Sequence, residues 1–296
     1  ARRGSLVISE FFNFYGSPTI YNWGSYIEIY NNGDSVAYLD GMYLAYTSYL
    51  AQHTDNWANC DAAAYRAVRE DTTHLWVIGG VQFPGSGSDF PVPPGTARVY
   101  AADAIDHRTA SGTGNVADLS AAHFEHVGNS ADTDNPIAAN VLPRFGVTIG
   151  AGGRGLRGEA PASWVLVKSV AATQLAQLTL PAINPAPPGG VARGPVQFWG
   201  IPRDDILDVF SLDHSPDYKA YLATTTLRYT QCQPWLPSVF ERAAAEVNDY
   251  TFRPGSIRRR SLGRLMDGRE VLMRTRTSAR DLEVTTNLLE RSLNRG

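Results

Sequence analysis

Apolar and polar positions alternate along this chain in short bursts broken by turn residues. Tyr26-Ile27-Glu28-Ile29-Tyr30 is the clearest burst. A period of two sends successive side chains to opposite faces, so this run predicts a strand with one covered face. Leu6 to Phe11 precedes it as a β-branched and aromatic run, and Val36 to Tyr46 follows with a bend at Asp40-Gly41. Further strands are predicted over His74 to Gly79, Val81 to Phe83, Ala97 to Ala101, Arg144 to Ile149 and Trp164 to Val170. Late strands fall at Ser256 to Ser261 and Glu270 to Thr275. Phe90-Pro91-Val92-Pro93-Pro94-Gly95 reads as a rigid turn.

Helical spacing is scarce. Ala62 to Arg69 predicts a helical insertion that Asp61 could cap, and Pro237 to Asn248 places Phe240, Ala243, Ala244 and Val247 on one helical face. Asp204 to Phe210 fits a short helix or a strand, and Thr285 to Leu293 a terminal helix. Many short strands with helical and loop insertions predict a mainly β domain over residues 1–296, an immunoglobulin-like β-sandwich.

Composition agrees with a packed β domain. The chain is 43% hydrophobic and 19% charged, with 27 Gly and 18 Pro. Net charge is −3, which argues against a nucleic-acid partner. The charge is uneven: residues 253–296 hold eleven Arg against five acids, a surplus of six, so the remainder is nine units negative. Such opposed blocks can steer one copy onto another. Trp164 to Ile183 is the most apolar stretch, but Lys168, Gln174 and Gln177 make it strands rather than a membrane span. Ala1 to Ser5 shows no leader pattern. Cys60 and Cys232 are distant and lack a CxxC partner, so they read as one long-range disulfide in an exported protein or as two buried thiols.

Several segments resemble known families. Leu6 to Glu10, Tyr26 to Asn31, Tyr38 to Leu44 and Val92 to Gly95 resemble the lamin-tail domain, which implies an immunoglobulin-like sandwich. A closer resemblance is to domain-of-unknown-function family 4876, bacterial exported proteins and lipoproteins related to that domain. It is carried in order by Asp118 to Glu125, Asp132 to Pro136, Gly200 to Asp208, Ser256 to Arg259 and Asp267 to Arg269. The family pattern turns Asn- and Thr-rich after Gly268, whereas this chain has Arg274-Thr275-Arg276-Thr277-Ser278. The resemblance implies a lamin-tail-like core over roughly residues 5–110, a family-specific extension over 111–296, and an extracellular, cell-surface or periplasmic location. It implies no catalysis.

Candidate chemistry is sparse. Glu10 and Glu28 lie on neighbouring predicted strands and would be the carboxylate pair of a glycosidase, or else structural. His123 and His126 flank Glu125 at a spacing that sends them to opposite faces of a strand, unlike HExxH. Asp132, Asp134 and Asn135 gather oxygens that suit a calcium ion, or form an Asx-rich turn. Gly150 to Gly158 lacks the lysine and strand–turn–helix setting of a phosphate loop. Tyr21, Trp23, Tyr46, Tyr49 and Trp57 are aromatics that could anchor a partner or stack on sugar. Arg258, Arg259, Arg260, Arg274 and Arg276 make the C-terminal region a contact surface.

The resulting expectation is an exported, non-catalytic interaction protein without a cofactor, self-associating in an extracellular assembly such as a filament or sheath. The alternatives are an accessory subunit of a membrane complex, a carbohydrate-binding module and, last, a hydrolase.

Overall fold

The computed structural model describes residues 6–12, 24–47, 67–68, 70–108, 117–126, 134–146, 156, 162–180, 196–214, 216, 236–247 and 255–285. The first half contributes β1 (Leu6–Phe12), β2 (Tyr26–Asn31), β3 (Ala37–Tyr38), β4 (Tyr43–Tyr46), β5 (His74–Val77), β6 (Gly79–Gln82), β7 (Pro91–Val92) and β8 (Ala97–Ala101). The middle adds β9 (Phe124–His126), β10 (Ala139–Gly146), β11 (Ala162–Val167), β12 (Ala176–Leu180), β13 (Val196–Pro202) and β14 (Ile206–His214). The last part holds β15 (Ala245–Val247), β16 (Ser256–Arg259), β17 (Ser261–Arg264), β18 (Glu270–Leu272), a one-turn helix α1 (Ser278–Asp281) and β19 (Leu282–Thr285). Strand runs read from alternation are therefore strands here, and the protein is mainly β.

Their assembly corrects the predicted sandwich. Twelve strands form one continuous hydrogen-bonded sheet in the order β15-β14-β11-β4-β6-β10-β9-β8-β2-β1-β16-β19. An immunoglobulin-like sandwich needs two separate sheets face to face. Here parallel pairing of β8 with β9, β9 with β10 and β14 with β15 joins otherwise antiparallel strands into a mixed sheet. Strands from residues 5–110 and 111–296 pair at β6–β10, β8–β9, β4–β11 and β1–β16.

The sheet curls until its ends nearly meet. β14 is second in the order and β1 tenth, yet Phe11 of β1 meets Phe210 of β14 edge-on with ring centroids 6.3 Å apart. The Ile8 N–H donates to Asp208 Oδ2 at 2.9 Å. A bulge between Ile8 and Glu10 gives β1 one residue more than β2 and turns that N–H toward β14. The outcome is a nearly closed barrel. Its interior is apolar: Ile8, Ile27, Leu44, Val81, Phe124, Leu166, Leu212 and Ile257 come from strands around the whole circuit. Trp164 stacks on Tyr46 at 5.3 Å at its centre. At roughly 25 cal/mol per Å² of apolar surface removed from water, these large rings dominate the drive to close the sheet.

The outer wall is covered too. Tyr43, Ala45, Val165, Val167 and Val209 face outward beneath the three-stranded sheet β12-β13-β5, which contributes Leu75, Val77 and Ile201. Leu272 of β18 covers Val7, Tyr30 and Ala97.

Helical expectations fared worse. The described part of Pro237 to Asn248 is not helical: turns occupy 238–240, and Ala245–Val247 runs as β15 beside β14. Pairing with an open strand edge outweighed helical spacing. Of Ala62 to Arg69 only 67 and 68 are described, and both are helical. Thr285 ends β19, while the rest of the predicted terminal helix lies outside the described residues.

Candidate functional site

Charge concentrates where the barrel closes. Ile257 of β16 points inward, so alternation sends Arg259 inward as well and Arg258 outward. Arg259 is 1% exposed. Its Nη2 donates to Asp208 Oδ2 at 2.7 Å, its Nη1 lies 3.3 Å from Asp281 Oδ2, and its Nε donates to the Ile8 carbonyl at 3.0 Å. Arg274 adds its Nε to Asp208 Oδ1 at 3.2 Å and a further donor to the Leu207 carbonyl. Thr275 donates its N–H and hydroxyl to Asp281 at 2.7 and 2.6 Å. β14, β1, β16 and α1 are thereby fastened by one network. Such a network is stabilising only when every charge is matched, because burying a lone ion costs several kcal/mol.

α1 is pinned to the same seam. Ser278 donates N–H and Oγ to the Glu241 carboxylate, each at 2.8 Å, and its Oγ accepts the Ser211 N–H at 3.1 Å. Burial raises the Glu241 pKa above the usual carboxylate range, the nearby Asp281 charge adds to that, and the bonds from Ser278 and Ala243 only partly offset both.

Outside this fastening lies a recess of about 30 Å³ lined by Arg203, Arg259, Arg274, Arg276, Asp208 and Asp281, among others. It adjoins an open cleft of about 660 Å³ bounded by Thr72, Thr73, Pro202, Arg203, Asp204, Ile206 and Arg276. Arg276 has φ +60°, and among the described residues it is the non-glycine residue in the left-handed region.

Beyond Arg259 the chain leaves the barrel as the hairpin β17–β18. Its turn is held: Arg269 donates to the Gly33 carbonyl at 2.8 Å and pairs with Asp34 at 3.1 Å. Gly95, at φ +73°, lets the Arg269 side chain pass so close that a Cβ there would sit 2.6 Å from it. Apolar groups nonetheless stand out from this region: Leu262 on β17 is 62% exposed, Met266 in the turn 107%, and Val284 on β19 68%. Arg260, Arg264, Arg276 and Arg280 are exposed in the same stretch.

The predicted contact arginines thus separate. Arg260 and Arg276 are exposed and Arg258 and Arg274 are half-buried. Arg259 is corrected from a surface contact to an interior fastener. Sequence reading missed Arg203, Leu262 and Met266. The Asp267-Gly268 pair was the available hairpin signal, and Gly268 indeed turns the chain at φ +84°.

Glu10 and Glu28 are brought together as directly opposed partners on β1 and β2, both fully buried. Ser256 Oγ donates to Glu10 at 2.6 Å, Tyr26 also donates to it, and Ser9 Oγ donates to Glu28 at 2.6 Å. Burial and the Glu10 charge push the Tyr26 pKa well up, so this hydroxyl keeps its proton. Hydroxyls hold the pair inside the outer wall.

His123 and His126 are kept apart, as the spacing predicted. His123 Nδ1 accepts the Val99 N–H at 3.2 Å, while His126 meets the Tyr100 hydroxyl at 3.0 Å on the inner face. Between them Glu125 accepts the N–H groups of Ala104 at 3.2 Å and Asn135 at 2.8 Å. Asn135 closes an Asx turn through the Ile137 N–H at 3.1 Å and donates its amide to the Ala104 and Ser120 carbonyls. Asp134 is exposed beside Asn140. Tyr46, a candidate contact aromatic, is instead buried in β4. Tyr21, Trp23, Tyr49, Trp57, Cys60, Asp132 and Cys232 lie outside the described residues, as does Gly150 to Gly158 except residue 156. Among the described residues no helix is long and apolar enough to cross a membrane.

No family model and no curated protein matches the chain. A solved structure does: a DUF4876 family protein from Bacteroides thetaiotaomicron superposes at TM-score 0.68, covering 98% of this chain and 74% of its own, at 17% identity. This chain has the fold of a DUF4876 protein. At that identity the likeness to the DUF4876 structure concerns the course of the backbone, and it agrees with the resemblance read from the sequence.

Proposed function

We propose that the protein is an exported, non-catalytic interaction subunit that associates with copies of itself in an extracellular assembly. One observation carries this reading: the stretch from Arg260 to Val284 bares Leu262 and Met266 on a hairpin that Arg269 holds to the body, and Val284 on β19, among exposed arginines. Exposed apolar groups interleaved with Arg are the composition of contact surfaces. Export is supported by the resemblance to an exported family, and in that setting Cys60 and Cys232 pair. Thiol labelling of both without reductant would overturn the pairing.

The test is sedimentation of the wild type and of Leu262→Asp/Met266→Asp over a wide protein range at low salt. The wild type is expected to associate as concentration rises, and the double variant to stay monomeric with an unchanged melting temperature. A wild type that remains a monodisperse monomer throughout would sink the self-assembly reading.

A further inference from the structure

We propose that the cleft beside the barrel seam binds a tetrahedral oxyanion, phosphate or sulfate, between Arg203 and Arg276. The inference stands apart from the contact reading and uses none of the hairpin β17–β18.

Recess and cleft together present Arg203, Arg259, Arg274 and Arg276 against Asp204, Asp208 and Asp281. Two of those acids are already matched. Asp208 takes Arg259, Arg274 and the Ile8 N–H, and Asp281 takes Arg259 and Thr275. Arg274 spends donors on Asp208 and the Leu207 carbonyl. The remaining cationic capacity sits at the cleft. Among the described residues the Arg203 guanidinium meets no hydrogen-bond acceptor, and its backbone N–H goes to Thr73. Among the described residues the Arg276 guanidinium reaches only the Val239 carbonyl, at a long 3.4 Å. Among the described residues that line the recess and cleft, Asp204 is the acid left to oppose them.

Arg276 holds this place at a steric cost. Its φ of +60° puts an L-residue in the left-handed region, and a hydrogen bond from the Arg242 N–H to its carbonyl at 2.9 Å holds it there. Glycine would meet the backbone demand without strain. A strained arginine over a cleft is a reason to look for what the side chain does.

The chemistry of the donors selects the ligand. Each guanidinium is a rigid fork of up to five N–H donors. Two forks, with the Thr72 hydroxyl on the same cleft, offer more donors than the two oxygens of a carboxylate accept. A tetrahedral oxyanion presents the additional oxygens. The cleft, at about 660 Å³, lies in the roughly 300–1,000 Å³ range of small-molecule sites, so the group can be free or an ester on a small sugar.

Thermal-shift titration tests this with inorganic phosphate, inorganic sulfate, acetate and chloride at matched ionic strength. Phosphate or sulfate is expected to raise the melting temperature beyond acetate and chloride. Arg276→Gly should lose that rise while its ligand-free melting temperature equals or exceeds the wild type's, and Arg203→Gln should lose the rise as well. A phosphorylated monosaccharide that outperforms inorganic phosphate assigns the ester, and equal shifts assign the free ion. Equal rises with all four anions, or a full rise retained in Arg276→Gly, would overturn the site. Leu262→Asp/Met266→Asp is expected to keep the full shift, so failure here and failure of the association reading are separable.

Discussion

The seam of the barrel and the wall opposite it both bury ionisable side chains, and they do so by different means. At the seam Arg259 is held charged between Asp208 and Asp281, with Arg274 alongside. On the wall, at the middle of the strand order, His123 and His126 are buried with their pKa values lowered, chiefly by desolvation. The seam pairs its charges; the wall keeps its rings neutral by burial, with Val99 and Tyr100 as their hydrogen-bond partners. The reason lies in the backbone. The wall has neighbours on both sides and continuous ladders, so a side chain there needs only to fill space and satisfy one or two atoms. β14 and β1 meet at the seam without forming a ladder, and side-chain charge substitutes for the missing hydrogen bonds.

The largest expected effect breaks the seam. Arg259→Met strands Asp208 and Asp281 in the interior, and removing one partner of a buried ion pair costs about 3–5 kcal/mol. Its sequence neighbour supplies the control. Arg260 bonds the Leu282 carbonyl at 3.0 Å and Glu283 at 3.4 Å, but its side chain is 47% exposed. Arg260→Met should cost about 0.5 kcal/mol. Urea denaturation of the two variants measures both. Similar losses in the two would mean that the seam is no more than a surface network.

That contrast also shows what the sequence could and could not disclose. Alternation located most strands, because covering one face of a strand leaves a period-two trace. It also set Arg259 apart from Arg258 and Arg260 in principle, but only once Ile257 was known to face inward. Strand order is not written in any local pattern. The pairings that turn two expected sheets into one, β8–β9 and β9–β10, join segments far apart in sequence through a three-residue strand. Glu10 and Glu28 were legible as neighbours because consecutive strands usually pair. The cleft was not, since Arg203 and Arg276 are brought together by β14 and the turn before α1.

The wall should fail in acid. The His123 pKa in the fold is about 4, against 6.5 in the open chain, lowered first by burial and then by the Arg98 charge. Between those values the unfolded chain binds a proton that the folded one refuses, so stability is full above pH 6.5 and falls as pH drops toward 4. At about 1.4 kcal/mol per unit, discounted for partial exposure, the loss is about 2–3 kcal/mol. His123→Asn keeps an acceptor for the Val99 N–H without titrating in this window. Its stability is therefore expected to decline less between pH 7 and pH 4.5, as followed by melting temperature. Parallel pH profiles for variant and wild type would clear His123 of the effect.

The smallest effect has the opposite sign and belongs to the seam. Burial raises the Glu241 pKa above 4.5. An acid with a raised folded pKa is held more tightly as its protonated form in the fold, so its contribution is complete below pH 4.5 and is lost as pH climbs through the folded value. Neutral pH therefore carries the full penalty of a buried carboxylate. Glu241→Gln keeps an oxygen for the Ser278 and Ala243 N–H groups and an amide that the Ser278 Oγ can accept, while removing the charge beside Asp281. The variant should gain on the wild type as pH rises from 4 to 7, whereas His123→Asn gains as pH falls over the same range. Opposed slopes would mean that wall and seam titrate as independent regions of one barrel. A Glu241→Gln protein that is less stable at neutral pH by a margin independent of pH would instead make Glu241 a charge the seam requires, on the same footing as Asp208.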